Sequence, residues 1–278
     1  MRRVGVALLG CALVACGGGT ANHATAGAHA PSTATAAPPL RLDSAPAVAR
    51  TLTVIERGLR SPGDPMAVRY GTRQPRAYGT LMSHPAWRAA VLAAVAPDVK
   101  AAVSANLDAA VSLASLTTGG PLSATLPSWM IAAPQPEASL VGDYMAAQAA
   151  TGVPWGYLAA IHLVESRLGR IVGPSSAGAQ GPMQFLPATW ARYGEGGDIH
   201  DARAAIAAAA RLLAANGGAR DLSSALYHYN PSVHYVRGVL AFAAAIASDI
   251  RTFYGYYGWR VYAATTAGTF LLPEGYGA

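Results

Sequence analysis

The stretch Val153-Pro154-Trp155-Gly156-Tyr157-Leu158-Ala159-Ala160-Ile161-His162-Leu163-Val164-Glu165-Ser166 decides how this chain is read. Pro154 has a fixed φ and lacks the N–H that a first helical turn leaves unused, so it marks the opening of a helix. Glu165 falls near the end of that helix, on the side of Leu158, Ile161 and His162, which precede it by seven, four and three residues. A carboxylate on an apolar face is costly to bury ionised, so its pKa is expected to rise toward neutrality. That is what a general acid needs near neutral pH. Taken alone, the helix fits equally well a buried glutamate paired with an arginine, Arg167 or Arg192 being the candidates.

Downstream, Gly169 is expected to close the helix and residues 170–180 to form a loop rich in Gly and Ser. Gly181-Pro182-Met183-Gln184-Phe185 follows, with a short helix expected over 182–193 and Met183 and Gln184 facing a groove. Asp201 and Asp221 are in N-cap position for helices over 202–215 and 222–229, and Asn216-Gly217-Gly218 ends the first of them. Ser232 should start the last long helix, reaching about residue 254. The tail alternates like a β-hairpin, 259–265 and 269–272 around a turn containing Gly268, with its aromatics packed on the helical body.

Upstream, residues 45–60 place Leu52, Ile55 and Leu59 on one helical stripe. Ser61-Pro62-Gly63 stops that helix, and Asp64-Pro65 opens another over 66–82, interrupted near Pro75. A helix over 86–96 follows His84-Pro85. Asp98 should cap a long one striped by Val99, Val103, Leu107, Val111 and Ala114. Residues 117–136 read as a linker or wrapping strand, and a helix over 137–151 ends at Gly152. The first block, 45–135, carries no recognisable chemistry.

The chain is 52% hydrophobic and only 12% charged, with a formal net charge of +6. Lys100 is its single lysine, and the arginines are scattered, without the basic runs of nucleic-acid binders, so no nucleic-acid partner is expected. An anionic surface or polymer suits that charge. Arg2 and Arg3 precede an apolar run over residues 4–14, too short to span a bilayer. Leu13-Val14-Ala15-Cys16 then resembles a bacterial lipobox, which implies a signal peptide over 1–15 and lipid modification of Cys16. Residues 16–44, rich in Ala, Gly, Thr and Pro, would be a flexible tether. No later segment is apolar for long enough to cross a membrane, and with Cys11 removed no disulfide is possible.

Competing chemistries fail on spacing. His162 and Glu165 form H-x-x-E, but Ser166 stands where the inverted zinc motif needs a histidine. No H-E-x-x-H or G-x-S-x-G occurs. Glu195, Asp198 and Asp201 do not have EF-hand spacing. No metal or cofactor is expected, and His162 reads as a pocket wall or hydrogen-bond partner.

Three motifs in order, Glu165-Ser166, Gly181-Pro182-Met183-Gln184 and His228-Tyr229-Asn230, resemble those of the soluble lytic transglycosylases, relatives of goose-type lysozyme. The resemblance covers about residues 140–247. Pro182 stands where the family has Leu, and His228 where it has a small residue. The resemblance implies a lysozyme-like catalytic domain over 136–255. With the N-terminal helical subdomain over 45–135 and the C-terminal hairpin over 256–278 read from their periodicity, the fold is expected to be mainly α. These flanking parts also look like the actinobacterial lipoprotein branch of that family. The resemblance implies Glu165 as the single acid and base cutting the bond between N-acetylmuramic acid and N-acetylglucosamine, leaving 1,6-anhydro ends. Ser166, Met183, Gln184, Tyr229 and Asn230, with His162, would line the substrate site, Tyr229 positioning Glu165 or the sugar. The expected partners are a peptidoglycan strand and, through Cys16, the outer face of the cell membrane, for a monomeric enzyme. A goose-type muramidase, with Glu195 or Asp198 holding water, and a non-catalytic wall-binding lipoprotein are the alternatives.

Overall fold

The structure, a computed structural model, describes residues 40–60, 67–117 and 122–277. The signal peptide, Cys16 and most of the expected tether lie outside the described residues, as do Ser61-Pro62-Gly63 and Asp64-Pro65. At the centre is helix α6 (Trp155–Ser166), opened by Pro154 as its sequence predicts. The expected apolar side is instead a complete sleeve, because every residue from Leu158 to Ser166 is buried. A helix apolar all round must be enclosed on all sides. Helices α5 (Glu137–Thr151), α8 (Ala202–Ala215) and α10 (Val233–Ser248) enclose it. Alanines make this possible: Ala159 and Ala160 in α6 and Ala205, Ala208 and Ala209 in α8 are fully buried.

The sequence signals for helix ends hold in most places. Gly152 adopts φ 76° after α5, and Asp201 and Asp221 accept from the Ala204 and Ser224 amides at the starts of α8 and α9 (Leu222–Tyr229). Four expectations fail for physical reasons. Helix α6 stops at Ser166, before Gly169, because Arg167 and Leu168 already have φ 56° and 59°. The helix expected from Pro182 begins only at α7 (Pro187–Tyr193). Gly181 and Gln184, at φ 72° and 50°, close a tight turn in which Gln180 and Phe185 exchange backbone hydrogen bonds. The long last helix divides into α10 and α11 (Arg251–Tyr257), since Asp249 is extended and its Oδ1 accepts from the Arg251 amide. Asp98, in the first turn of α4 (Pro97–Thr117), bonds Arg57 of α1 (Ala45–Leu59) twice at 2.8 Å instead of capping.

The first block forms its own core from Val48, Leu52, Ile55, Leu81, Val91 and Val103. Helix α2 (Ala67–Ser83) runs through Pro75 without interruption, and the next helix splits into a 3-10 turn (Pro85–Trp87) and α3 (Arg88–Ala94). The lost hydrogen bond and ring clash at Pro75 are offset by burying Ala77, Tyr78 and Leu81 in the following turns. Along α4, Val99, Val103 and Leu107 are buried as expected, but Val111 and Ala114 are only half-buried and Leu113 takes the inner position. Helix α4 serves both cores, packing along α10.

A buried network fastens this block to α11. Glu56 accepts from Gln74 and Tyr78 at 2.6 Å, from Asn106 at 3.2 Å and from Arg60 at 2.6 Å. Arg60 donates to Thr252, Tyr256 donates to Asn106 and the Trp259 indole donates to Gln74.

The linker contributes strand β1 (Met130–Ile131), which pairs antiparallel with β2 (Ile171–Val172). The tail is the expected hairpin, β3 (Val261–Thr265) with β4 (Gly268–Leu272). It turns aliphatic residues inward: Val261, Ala263 and Leu272 pack on Ile131 and Ile171, while Phe270 is exposed. Trp259 is the aromatic that enters the body. Among the described residues no helix is long and apolar enough to cross a membrane.

Gly71 marks the crossing of α2 and α11. A Cβ there would lie 2.8–3.0 Å from the Gly258 backbone. Gly71→Val should therefore cost about 1–3 kcal/mol or more, read as a lower Tm in thermal unfolding. An unchanged Tm would show that the crossing relaxes freely.

Candidate functional site

Glu165 lies at the C-terminal end of α6 and is 1% exposed. Its Oε1 accepts from the Tyr235 hydroxyl at 2.7 Å, and its Oε2 has no hydrogen-bond partner among the described residues. Burial raises the carboxyl from 4.5 to about 8, while the Tyr235 hydrogen bond pulls the other way. At pH 7 the protonated form therefore leads by about ten to one. With Oε1 accepting from Tyr235, Oε2 is the atom left to carry and donate that proton.

The arginine pairing allowed by the sequence is not what compensates this burial. Arg167 lies over the Trp259 ring, 5.0 Å from its centroid, and Arg192 over Tyr193 at 5.2 Å. Tyr235 was not among the residues singled out from the sequence. The sequence signal reaches only as far as its place in the helix: Ser232 caps α10 by accepting from the Tyr235 amide, which sets Tyr235 on the first turn, and packing turns it toward α6. Tyr229 stacks parallel to it, centroids 6.3 Å apart. The hydroxyl expected from Tyr229 at Glu165 thus comes from Tyr235, and the Tyr229 hydroxyl donates to the Met183 carbonyl at 2.6 Å.

The three motifs do meet. Ser166 donates to the Pro182 carbonyl at 2.5 Å and accepts from the Gly169 amide at 2.9 Å, tying the end of α6 to the 181–184 turn. Met183 is fully buried and serves through its backbone, so its side chain does not face an open groove. Gln184 is 2% exposed; its amide nitrogen donates to the Gly181 carbonyl at 2.9 Å, and its Oε1 has no partner. Asn230, at the end of α9, is 3% exposed with Nδ2 unpartnered. The Asp198–His200 loop closes over the turn so tightly that a Cβ on Gly181 would fall 1.9 Å from the Ile199 carbonyl oxygen.

His162 is fully buried, with Nδ1 2.7 Å from the Tyr144 hydroxyl and Nε2 unpartnered. Burial lowers its pKa from 6.5 to about 3, so the ring is neutral. Glu165 Oε2, Gln184 Oε1 and Asn230 Nδ2, one from each motif, and His162 Nε2, one turn before Glu165, are thus buried polar atoms without partners among the described residues. Each such atom costs about 1–3 kcal/mol unless a water, an ion or a ligand supplies the missing bond.

Other acids are engaged elsewhere. Glu195 pairs with Arg211 at 3.1 Å, and Asp198 accepts from the His200 amide. Among the described residues no group of three or more His, Cys, Asp or Glu side chains could hold a metal. In comparisons with family models, curated proteins and solved structures, nothing matches this chain.

Two measurements probe this geometry. Tyr235→Phe removes a hydrogen bond that favours the ionised carboxyl, so the Glu165 carboxyl should titrate at higher pH in carbon-detected NMR. An unchanged or lower titration point would remove Tyr235 from this role. Stability supplies the second. Because the folded pKa lies above the unfolded one, the contribution of Glu165 is fully present below about pH 4.5 and lost as pH rises to about 8. The Tm of the wild type minus that of Glu165→Gln should fall across that window and level off above it. A constant difference would mean an ordinary carboxyl.

Proposed function

We propose that this chain is a peptidoglycan lytic transglycosylase with a lysozyme-like catalytic domain, lipid-anchored through Cys16 to the outer face of the cell membrane. One observation carries the reading: a buried carboxyl raised to about 8, with one oxygen held by Tyr235 and the other unpartnered. The order of Glu165-Ser166, Gly181-Pro182-Met183-Gln184 and Tyr229-Asn230, and their meeting around α6, support it.

In this reading the glycan enters above the 181–184 turn, and its entry uncovers Glu165, which is 1% exposed without it. Gln184 Oε1 and Asn230 Nδ2, an acceptor and a donor, pair with sugar acetamido groups. Glu165 Oε2 protonates the oxygen joining N-acetylmuramic acid to N-acetylglucosamine, and that C–O bond breaks. The substrate's N-acetyl oxygen stabilises the positive charge at C1. The Glu165 carboxylate then takes the proton of the muramyl C6 hydroxyl, and O6 closes on C1 to give the 1,6-anhydro ring. The acid is restored and no water is consumed.

A base stronger than the Glu165 carboxylate would compete for the proton. The neutral His162 and the phenols of Tyr229 and Tyr144, both raised by burial, do not act as charged rivals. Hydrolysis by two carboxylates needs a second acid aimed at a water, and Glu195 and Asp198 are bonded elsewhere.

Digestion of purified peptidoglycan, with products weighed by mass spectrometry, tests this directly. The wild type should release fragments one water lighter than hydrolysed ones. Its kcat/KM should fall as pH rises through about 8, because only the protonated acid starts the reaction. Glu165→Gln should lose activity by about 10²–10⁴-fold while still binding the polymer. Products of hydrolytic mass, or near wild-type turnover by Glu165→Gln, would overturn the proposal.

A further inference from the structure

A cavity of about 300 Å³ lies between β1, the loop after α6 and the C-terminal hairpin, apart from the Glu165 site. Ile131, Val261, Leu271 and Leu272 give it apolar walls, and Arg170, Arg260 and Glu274 give it a polar side. Both arginines aim Nη1 at the same atom, Glu274 Oε1, at 2.6 Å each. Arg170 is fixed: its side chain is 6% exposed, and Nη2 donates to the Tyr257 carbonyl at 3.0 Å. Arg260 and Glu274 are 34% and 42% exposed.

Two guanidinium groups therefore share one carboxylate, leaving a net positive charge in the cavity. Burial lowers the pKa of Arg170, the charge of Arg260 lowers it too, and Glu274 works against both. The Glu274 side chain is not what holds the tail. The Gly275 amide donates to the Ile131 carbonyl at 2.8 Å, the Ile131 amide to the Tyr276 carbonyl at 2.9 Å, and the Tyr276 hydroxyl to the Pro127 carbonyl at 2.8 Å. The carboxylate is 42% exposed, so water reaches it when it leaves the arginines. It can swing aside while the backbone on both sides stays pinned.

We propose that this cavity binds the C-terminal carboxylate of a short peptide ending in a small aliphatic residue, with Arg170 and Arg260 as the clamp and Glu274 as an internal carboxylate that the ligand displaces. Planar guanidinium groups match a carboxylate in geometry and charge. The apolar walls take the terminal side chain. At about 30 Å³ per water-sized group, the cavity holds on the order of ten heavy atoms, the size of an acylated alanine. Such a terminus occurs with D-residues on cell-wall stem peptides and with L-residues on proteins. The site does not depend on the reaction proposed for Glu165, because it is read by binding and not by turnover.

The test is an NMR titration of the full chain with acetyl-D-alanyl-D-alanine, acetyl-L-alanyl-L-alanine and the amide of each. At least one acid should shift the Arg260 and Leu271 amides, and its amide should bind at least tenfold more weakly. Preference for the D or L form names the source. Glu274→Gln should tighten binding of the acid about fivefold or more, and Arg260→Gln should weaken it about tenfold. Equal binding of acid and amide, or no binding of either acid to folded Glu274→Gln, overturns the proposal. Should that variant fail to fold, the acid-against-amide comparison on the wild type decides alone.

Discussion

Keeping one carboxyl away from water is the constraint on which the rest of this structure depends. An isolated carboxylate in an apolar interior is too costly to persist, so Glu165 responds by holding its proton. Tyr235 limits that response with a single hydrogen bond to Oε1, leaving Oε2 as the free end. The protonated state at neutral pH is thus a consequence of packing. Helix α6 has to be enclosed on every side, and the alanines of α6 and α8 let neighbouring helices approach closely enough to do it.

The same enclosure explains the loop that faces Glu165. The 181–184 turn is held from three directions: Ser166 on the Pro182 carbonyl, Tyr229 on the Met183 carbonyl, and the Gln180–Phe185 pairing at its base. Left-handed backbone at Gln184 is strained for a residue with a side chain, and it persists because these bonds over-determine it. The first block contributes rigidity from a distance. Its Glu56 network reaches Thr252, Tyr256 and Trp259, so α11 and the start of the hairpin are fastened to α1, α2 and α4 through buried hydrogen bonds.

Much of this was legible in the residues because local chemistry decided it. Pro154, Gly152, Asp201, Asp221 and Ser232 act within one helical turn, and each does what its type predicts. Glu165 in an apolar helix, with Gly181-Pro182-Met183-Gln184 and Tyr229-Asn230 downstream, picked out in the sequence the stretches that the fold brings together. Where the reading missed, local bonds or distant contacts had overridden propensity. Asp98 met Arg57, Asp249 turned back on the Arg251 amide and broke a continuous apolar helix, and burial of the turns after Pro75 carried α2 through a residue that usually interrupts.

By itself, the sequence determined that the fold is mainly helical, where most helices begin and end, and which carboxyl is unusual. Propensity, capping and apolar periodicity act over a few residues, and that is enough for those conclusions. Only the tertiary structure decided that Tyr235 holds Glu165 while Tyr229 holds the loop. The two tyrosines differ by six positions and carry the same chemistry. Which hydroxyl reaches the carboxyl depends on how α9 and α10 pack with α6 in their common core, which no local signal sets.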